Sequence, residues 1–181
     1  IIISIKEIEN YFPELKIAKQ NRELIEFYFT LSPFLPLYIL EKFQVNIINY
    51  VDSDIFFFDT PKRLIRFLEN DSIMIAEHGI KDDKFGKYNV GWLTFRNDKN
   101  ALKCLKDWGR DCVNWCYDYV DGEKYADQKY LDKWPLNYNN VAILPSKFSV
   151  GPWNLSTKDI SIKKNKLYLM NNELIFYHFH G

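Results

Sequence analysis

The sequence lacks an excess of charge of either sign: Lys and Arg together number 24, Asp and Glu 24, and the formal net charge is zero. That balance excludes the electrostatic footprint of a nucleic-acid binder, whose affinity rests on surplus Lys and Arg. Glycine and proline are scarce, seven of each in 181 residues, and no linker, low-complexity tract or internal repeat interrupts the chain. With 47% hydrophobic residues, this is neither a disordered segment nor a repeat array; it fits a single domain, residues 1–181, able to bury a core. Cysteine is limited to Cys104, Cys112 and Cys116. An odd count without a secretory segment argues for reduced thiols in a cytoplasmic protein, and no fourth ligand at finger-like spacing completes a zinc site. No apolar run approaches the roughly 20 residues of a membrane span. Nor does a methionine open the chain. Its first residues, Ile1-Ile2-Ile3-Ser4-Ile5, read as a strand from the middle of a domain and predict a fragment of a longer chain.

Aromatic residues, by contrast, are abundant: 14 Phe, 12 Tyr and 5 Trp. Such rings suit sugar faces and nucleobases, and they equally fill ordinary cores. The order of elements predicts a mixed α/β domain. After the strand at Ile1 to Ile5, Lys16 to Phe29 is helical, with Ile17, Leu24, Phe27 and Tyr28 as its apolar positions. Pro33 and Pro36 interrupt it before a second helix that runs to about Phe43. Val45 to Val51 reads as a buried strand, rich in β-branched residues, ending at Asp52-Ser53-Asp54. Ser72 to Glu77 and Val90 to Phe95 are further strands, separated by His78-Gly79 and a polar loop from Lys81 to Lys87. Asn97 or Asp98 caps a helix carrying Ala101, Leu105, Trp108, Cys112, Trp115 and Tyr119 on one face. A short helix from Asp127 to Lys133 stops before Pro135, and Val141 to Leu144 is a strand. Leu167 to Met170 and Leu174 to Phe179 form a hairpin through Asn171-Asn172, a pair that tolerates positive φ.

Four constellations carry chemistry. Asp52 and Asp54 flank Ser53 at the end of a strand, where two carboxylates are costly unless paired, hydrogen-bonded or metal-bound. Ligands of open α/β sheets bind at the carboxyl ends of strands, and hard cations such as Mg²⁺ or Mn²⁺ bridge carboxylates to substrate phosphates. Acidic triplets are also common in plain turns. His178 and His180, two of only three histidines, share one face of a terminal strand and are either satisfied imidazoles or Mn²⁺ ligands. Asp127-Gln128 either caps a helix or places an acid and an amide in a pocket. In Tyr88-Asn89-Val90-Gly91-Trp92, Gly91 removes bulk from a strand, which marks the close approach of a ligand or backbone.

Taken in order, strand–Asp-x-Asp, Asn-x-Gly on a strand, Asp-Gln, Pro152-Trp153-Asn154 and His-Phe-x-Gly resemble the nucleotide-diphospho-sugar glycosyltransferases of GT-A fold. The resemblance is to the glycogenin-like and lipopolysaccharide galactosyltransferase-like superfamily, and it covers nearly the whole chain. It implies a Rossmann-like, mixed sheet flanked by helices. It also implies transfer of a sugar from a nucleotide-sugar donor, UDP-sugar favoured, to a saccharide or glycolipid acceptor in surface polysaccharide or lipopolysaccharide synthesis. Asp52, Asp54 and His178 would hold Mn²⁺ or Mg²⁺, with His180 merely beside the site. Asp52, Ser53, Asp54, Asn89, Gly91 and Arg22 would form the donor site, and Asp127 and Gln128 would hold the transferred sugar. Retention of configuration is the relatives' habit, and the location implied is cytoplasmic, at most peripheral to the inner face of the membrane.

The chain departs from that pattern in three places. The βα unit that usually opens such domains is not found before Ile1. Lys-Pro-Trp does not follow the terminal glycine. Arg22 stands farther from Asp52 than the basic residue of the pattern. Two other classes remain open: a degenerate transferase domain that only binds carbohydrate or a partner, and a metal-dependent phosphohydrolase. The latter needs a second acidic cluster that the sequence does not offer.

Overall fold

The computed structural model describes residues 1–80, 83–155 and 159–179. Lys81 and Asp82 of the polar loop, and His180 and Gly181 at the terminus, lie outside them. Four helices come first: α1 (Ile5–Tyr11), α2 (Leu15–Gln20), α3 (Leu24–Leu31) and α4 (Phe34–Phe43). The expected strand at Ile1 to Ile5 is therefore corrected. Ser4 is the N-cap of α1 and its hydroxyl accepts from the Glu7 amide at 3.2 Å. Ile8, Phe12 and Leu15 then follow at helical spacing and are buried, while Ile1 and Ile2 are exposed. The single helix expected from Lys16 to Phe29 is two helices, because Glu23 and Glu26 form a reciprocal capping box that starts α3 anew. Of its four apolar positions only Phe27 is buried; Ile17, Leu24 and Tyr28 are exposed. Pro36 falls in the first turn of α4, where a missing N–H costs nothing.

By length and composition alone, Leu24–Phe43 is apolar enough to cross a membrane. It consists of α3 and α4, joined at Ser32-Pro33, and more than half of it is buried in the protein interior.

There follow β1 (Ile47–Val51), β2 (Ile55–Phe57), α5 (Lys62–Ile65), β3 (Ile73–Glu77), β4 (Tyr88–Arg96), α6 (Lys99–Asn114), α7 (Trp134–Asn137) and β5 (Val141–Leu144). The central sheet has the order β1-β4-β3-β5, antiparallel except for the β3–β5 pair, and so is mixed. β1 is an edge strand and only half-buried, less covered than its β-branched run suggested. β3 is buried on both faces. Ile73 and Ile75 join the helical side with Leu93, Phe95, Trp108 and the residues of α1–α4, whereas Met74 and Ala76 join Trp92, Leu64 and Phe176 on the other. The result is a mixed sheet flanked by helices.

Asp98 caps α6, accepting from the amides of Asn100 at 3.0 Å and Ala101 at 2.9 Å. Ala101, Leu105, Trp108 and Cys112 form its buried stripe, as the spacing predicts. Trp115 and Tyr119 do not continue it. The Tyr130 hydroxyl donates to the carbonyls of Trp115 (2.7 Å) and Asp111 (3.3 Å), closing the helix end, and Trp115 is already extended. Lys129–Lys133 is a 3₁₀ turn that runs on into α7 rather than stopping before Pro135, which sits at a helix start that accepts proline.

The last elements are α8 (Pro152–Leu155), β6 (Ile160–Lys163), β7 (Lys166–Leu169), β8 (Asn172–Glu173) and β9 (Phe176–His178). The hairpin is present between β7 and β8, with Met170, not an asparagine, at positive φ. Its second arm is shorter than expected, because the chain leaves at Leu174 and β9 pairs with β2 instead.

Candidate active site at the strand ends

An open cleft of about 1200 Å³ lies where β1 and β3 end and β4 begins. Asp52 and Asp54 sit in the turn between β1 and β2, with the Asp52 amide donating to the Gly91 carbonyl at 3.2 Å. β9 pairs antiparallel with β2, placing His178 opposite Ile55, and the Phe179 amide donates to the Asp54 carbonyl at 2.9 Å. This register carries the buried His178 imidazole to the Asp pair. Its Nε2 lies 3.0 Å from Asp54 Oδ1 and 3.6 Å from Asp52 Oδ2, and the three donor atoms fall within 4.8 Å of one another. Ligands about 2.1 Å from one ion stand about 3.0–3.4 Å apart, so two carboxylates and an imidazole so grouped fit a divalent cation. Among the described residues no second His, Cys, Asp and Glu grouping of this kind occurs.

Gly91 explains how the imidazole fits. A Cβ there would stand 2.5 Å from His178 Cε1 and 2.6 Å from both His178 Nδ1 and Asn89 Oδ1. The Asn89 side chain accepts from the Gly91 amide at 2.8 Å, within a bulge where β4 slips against β3. Asn89 and Ser53 line the cleft; Gly91 serves it by making room.

Asp127 and Gln128 line the same cleft. Gln128 is the cap residue of the 3₁₀ turn but makes no side-chain cap bond. Its amide instead donates to the Phe85 carbonyl at 2.9 Å, and its Oε1 accepts from the Val90 amide at 3.3 Å. Asp127 is buried, held by its carbonyl on Trp108 Nε1 at 2.9 Å and preceded by Ala126 at positive φ. Burial pushes its carboxyl up to about 7; the Ser32 hydroxyl opposes that shift and the charge of Asp52 adds to it. Asp127 thus ionises near neutral pH, well above the range of an ordinary carboxyl.

Arg22 does not line the cleft. Its guanidinium lies over the Tyr117 ring at 3.9 Å and donates to the Tyr117 hydroxyl at 2.7 Å and the Val113 carbonyl at 3.2 Å. Around the polar loop, Phe85 lines the cleft, and Lys129 donates to the carbonyls of Asp83 and Lys84 at 3.1 and 2.9 Å.

Sequence reasoning missed His78, Trp153, Tyr50 and Ser32 as cleft residues. Trp153 packs edge-on against both His78 and His178, at 5.0 and 5.3 Å between ring centroids. Tyr50 was legible in principle: it shares a strand face with Asp52, two residues on, and its hydroxyl donates to Asp52 Oδ1 at 3.0 Å.

Two curated relatives align with 99% of this chain, both from Bacillus subtilis (strain 168): the uncharacterized protein YfnD at 30% identity and the uncharacterized protein YfnF at 27%. The chain spans 60% of the length of the first and 64% of the second. No protein-family model matches. Among solved structures, a glycosyltransferase involved in the glycosylation of the major capsid of PBCV-1 superposes with a TM-score of 0.53 over 86% of this chain and 71% of that one, at 11% identity. The chain therefore has a glycosyltransferase-like fold.

Proposed function

We propose that the cleft is the active site of a divalent-metal-dependent glycosyltransferase. It would transfer a sugar from a nucleoside-diphosphate donor, UDP-sugars being the first to test, to a saccharide or glycolipid acceptor in surface polysaccharide synthesis. The observation that carries the reading is the meeting of Asp52, Asp54 and His178, from distant parts of the chain, at the mouth of a cleft in a glycosyltransferase-like fold. Mn²⁺ or Mg²⁺ held by these three residues would supply charge neutralisation for the departing diphosphate. Gly91, on β4, leaves the room that the His178 imidazole takes up beside Asp52 and Asp54. In its protonated form the Asp127 carboxyl can donate as well as accept, which suits the hydroxyls of the transferred sugar. Gln128, fixed between Phe85 and Val90, holds that wall of the cleft in register with β4.

One observation favours a second reading, a domain that binds carbohydrate without transferring it. No Lys or Arg lines the cleft among the described residues, so a diphosphate finds no fixed cation there. A screen of nucleotide sugars with Mn²⁺, reading release of nucleoside diphosphate, separates the two. Turnover that disappears in Asp52→Asn with the fold intact supports transfer. Metal-independent binding of free saccharide without nucleotide release supports the binding domain.

A further inference from the structure

One wall of the cleft has no part in the metal-binding trio or the Asp127–Gln128 pair. Phe85, Asp118 and Tyr125 form it, together with Ile25, Tyr28 and Phe29, which share one face of α3. Its rings are exposed and yet fixed. Phe85 is 40% exposed, but its loop is tied down along its length. Gln128 donates to the Phe85 carbonyl at 2.9 Å, Lys129 Nζ to the Lys84 carbonyl at 2.9 Å, and the Lys87 amide to Asp132 Oδ1 at 2.7 Å. The Phe85 ring stands edge-on to Tyr125, with centroids 4.8 Å apart. The Tyr125 hydroxyl donates to Asp118 Oδ1 at 3.0 Å, and the Asp118 amide donates to Glu26 Oε1 on α3 at 3.1 Å. An exposed ring that is already ordered loses little freedom when a ligand covers it.

The connections put this wall on the sugar side of the cleft. Gln128 itself holds Phe85, and Tyr125 stands two residues before Asp127. In the transferase reading that pair holds the transferred sugar, and the attacking hydroxyl must reach the same sugar. At about 1200 Å³ the cleft exceeds the roughly 300–1,000 Å³ of a pocket for one small ligand, so a second substrate has room. The faces of the rings carry partial negative charge and suit the C–H faces of a sugar. Asp118 is an acceptor of about four hydrogen bonds, one of them taken by Tyr125, which suits hydroxyl donors. Charge decides between kinds of saccharide. Asp118 and Asp127 line this side, and no Lys or Arg lines the cleft among the described residues. Lys84 Nζ lies over the Phe85 ring, 5.1 Å from its centre, and stands outside the lining. We infer that Phe85, Tyr125 and Asp118 form an acceptor subsite for an uncharged saccharide, one that discriminates against uronic, sialylated and phosphorylated sugars. The inference rests on the transferase reading of this cleft.

The test titrates the chain, saturated with Mn²⁺ and UDP, with neutral glycans and their acidic counterparts and reads Kd by ligand-observed NMR. Methyl glucoside is set against methyl glucuronoside, methyl galactoside against methyl galacturonoside, and lactose against sialyllactose. Neutral glycans should bind about tenfold more tightly than their counterparts, because a like charge near Asp118 is repelled. Phe85→Ala should weaken the best neutral binder about tenfold, and Phe85→Leu, which keeps bulk without the ring, about fivefold. Asp118→Lys should abolish the preference for neutral glycans, and Asp118→Asn should reduce it. All four variants should keep UDP affinity in Mn²⁺ within about twofold, since the metal and diphosphate sit elsewhere in the cleft. Three results would overturn the subsite while leaving the transferase reading intact: acidic glycans that bind as tightly as neutral ones, no binding by any neutral glycan, or a Phe85→Ala protein that loses UDP affinity and keeps its saccharide affinity. A wild-type chain that binds neither Mn²⁺ nor UDP would overturn both.

Discussion

The chemistry of the cleft turns on single atoms that are present or missing. Gly91 is the clearest case, because a methyl group there meets the His178 ring at 2.5–2.6 Å, closer than any real contact. The ring must move, and it carries one of the three donor atoms. Gly91→Ala should therefore lower Mn²⁺ affinity by about 10–100-fold, the range seen when a metal ligand loses its supporting contacts. Equal affinity for Mn²⁺ in the variant and the wild type would remove His178 from the metal site. Asp127 gives a second prediction, in stability against pH. Its folded pKa of about 7 lies above the 3.8 of an ordinary carboxyl, so the native state binds the extra proton. The contribution of this one carboxyl to stability is then greatest below about pH 4, falls as the pH rises to about 7 at up to about 1.4 kcal/mol per pH unit, and levels off above. Asp127→Asn cannot ionise and escapes this penalty. Thermal melts without metal should show the variant gaining on the wild type between pH 5 and pH 7. Parallel melting curves across that window would show that Asp127 ionises freely.

Among the elements, α6 offers the cleanest separation of fold from site. Its cap, Asp98, satisfies two amides at a helix start, and its buried stripe packs on the sheet away from the metal ligands. Asp98→Ala should cost about 1 kcal/mol, a fall of roughly 2–4 °C in Tm for a domain of this size, and leave Mn²⁺ affinity unchanged. A loss of metal binding in that variant would mean that the site depends on α6 more than its contacts indicate. α6 was also among the elements most legible beforehand, together with β3 and β4. Each combines a long apolar pattern of one period with a clear cap or boundary. The break between α2 and α3 was not legible, because a Glu-x-x-Glu box inside an apolar-periodic stretch looks like ordinary helix surface. The first strand was misread because β-branched Ile1 to Ile3 outweighed the Ser4-x-x-Glu7 start signal. β9 shows a different limit. Local signals located the turn at Asn171-Asn172, one residue later than it falls, but pairing with β2 is a long-range choice that no window of the sequence contains. Asp52 and Asp54 could be picked out by their place at a strand end. His178 was tied to them only by the resemblance to a known motif, since spacing along the chain says nothing of proximity across more than a hundred residues.

At the scale of the whole molecule, a formally neutral chain places its cleft carboxylates together. Asp52, Asp54, Asp118 and Asp127 line the cleft, and no Lys or Arg does so among the described residues. A unit charge about 4 Å from another of like sign is repelled by about 4 kcal/mol at the effective dielectric of a protein surface. A diphosphate approaching Asp52 and Asp54 without a cation therefore meets a field of the wrong sign. A divalent ion held by Asp52, Asp54 and His178 would cancel the charge of those two carboxylates and so let a diphosphate bind. Metal and diphosphate should then bind as a thermodynamically linked pair, each raising the affinity for the other by the same factor. UDP affinity should fall at least about 100-fold when Mn²⁺ is replaced by EDTA, and Mn²⁺ affinity should rise by the same factor when UDP is saturating. Uridine, which carries no phosphate, should bind with the same affinity with and without metal. Calorimetric titrations in both directions check the reciprocity. Tight UDP binding in EDTA would mean that cationic groups other than a metal receive the phosphates. A metal effect on uridine equal to that on UDP would mean that the ion orders the cleft as a whole and does not meet the phosphates at Asp52 and Asp54.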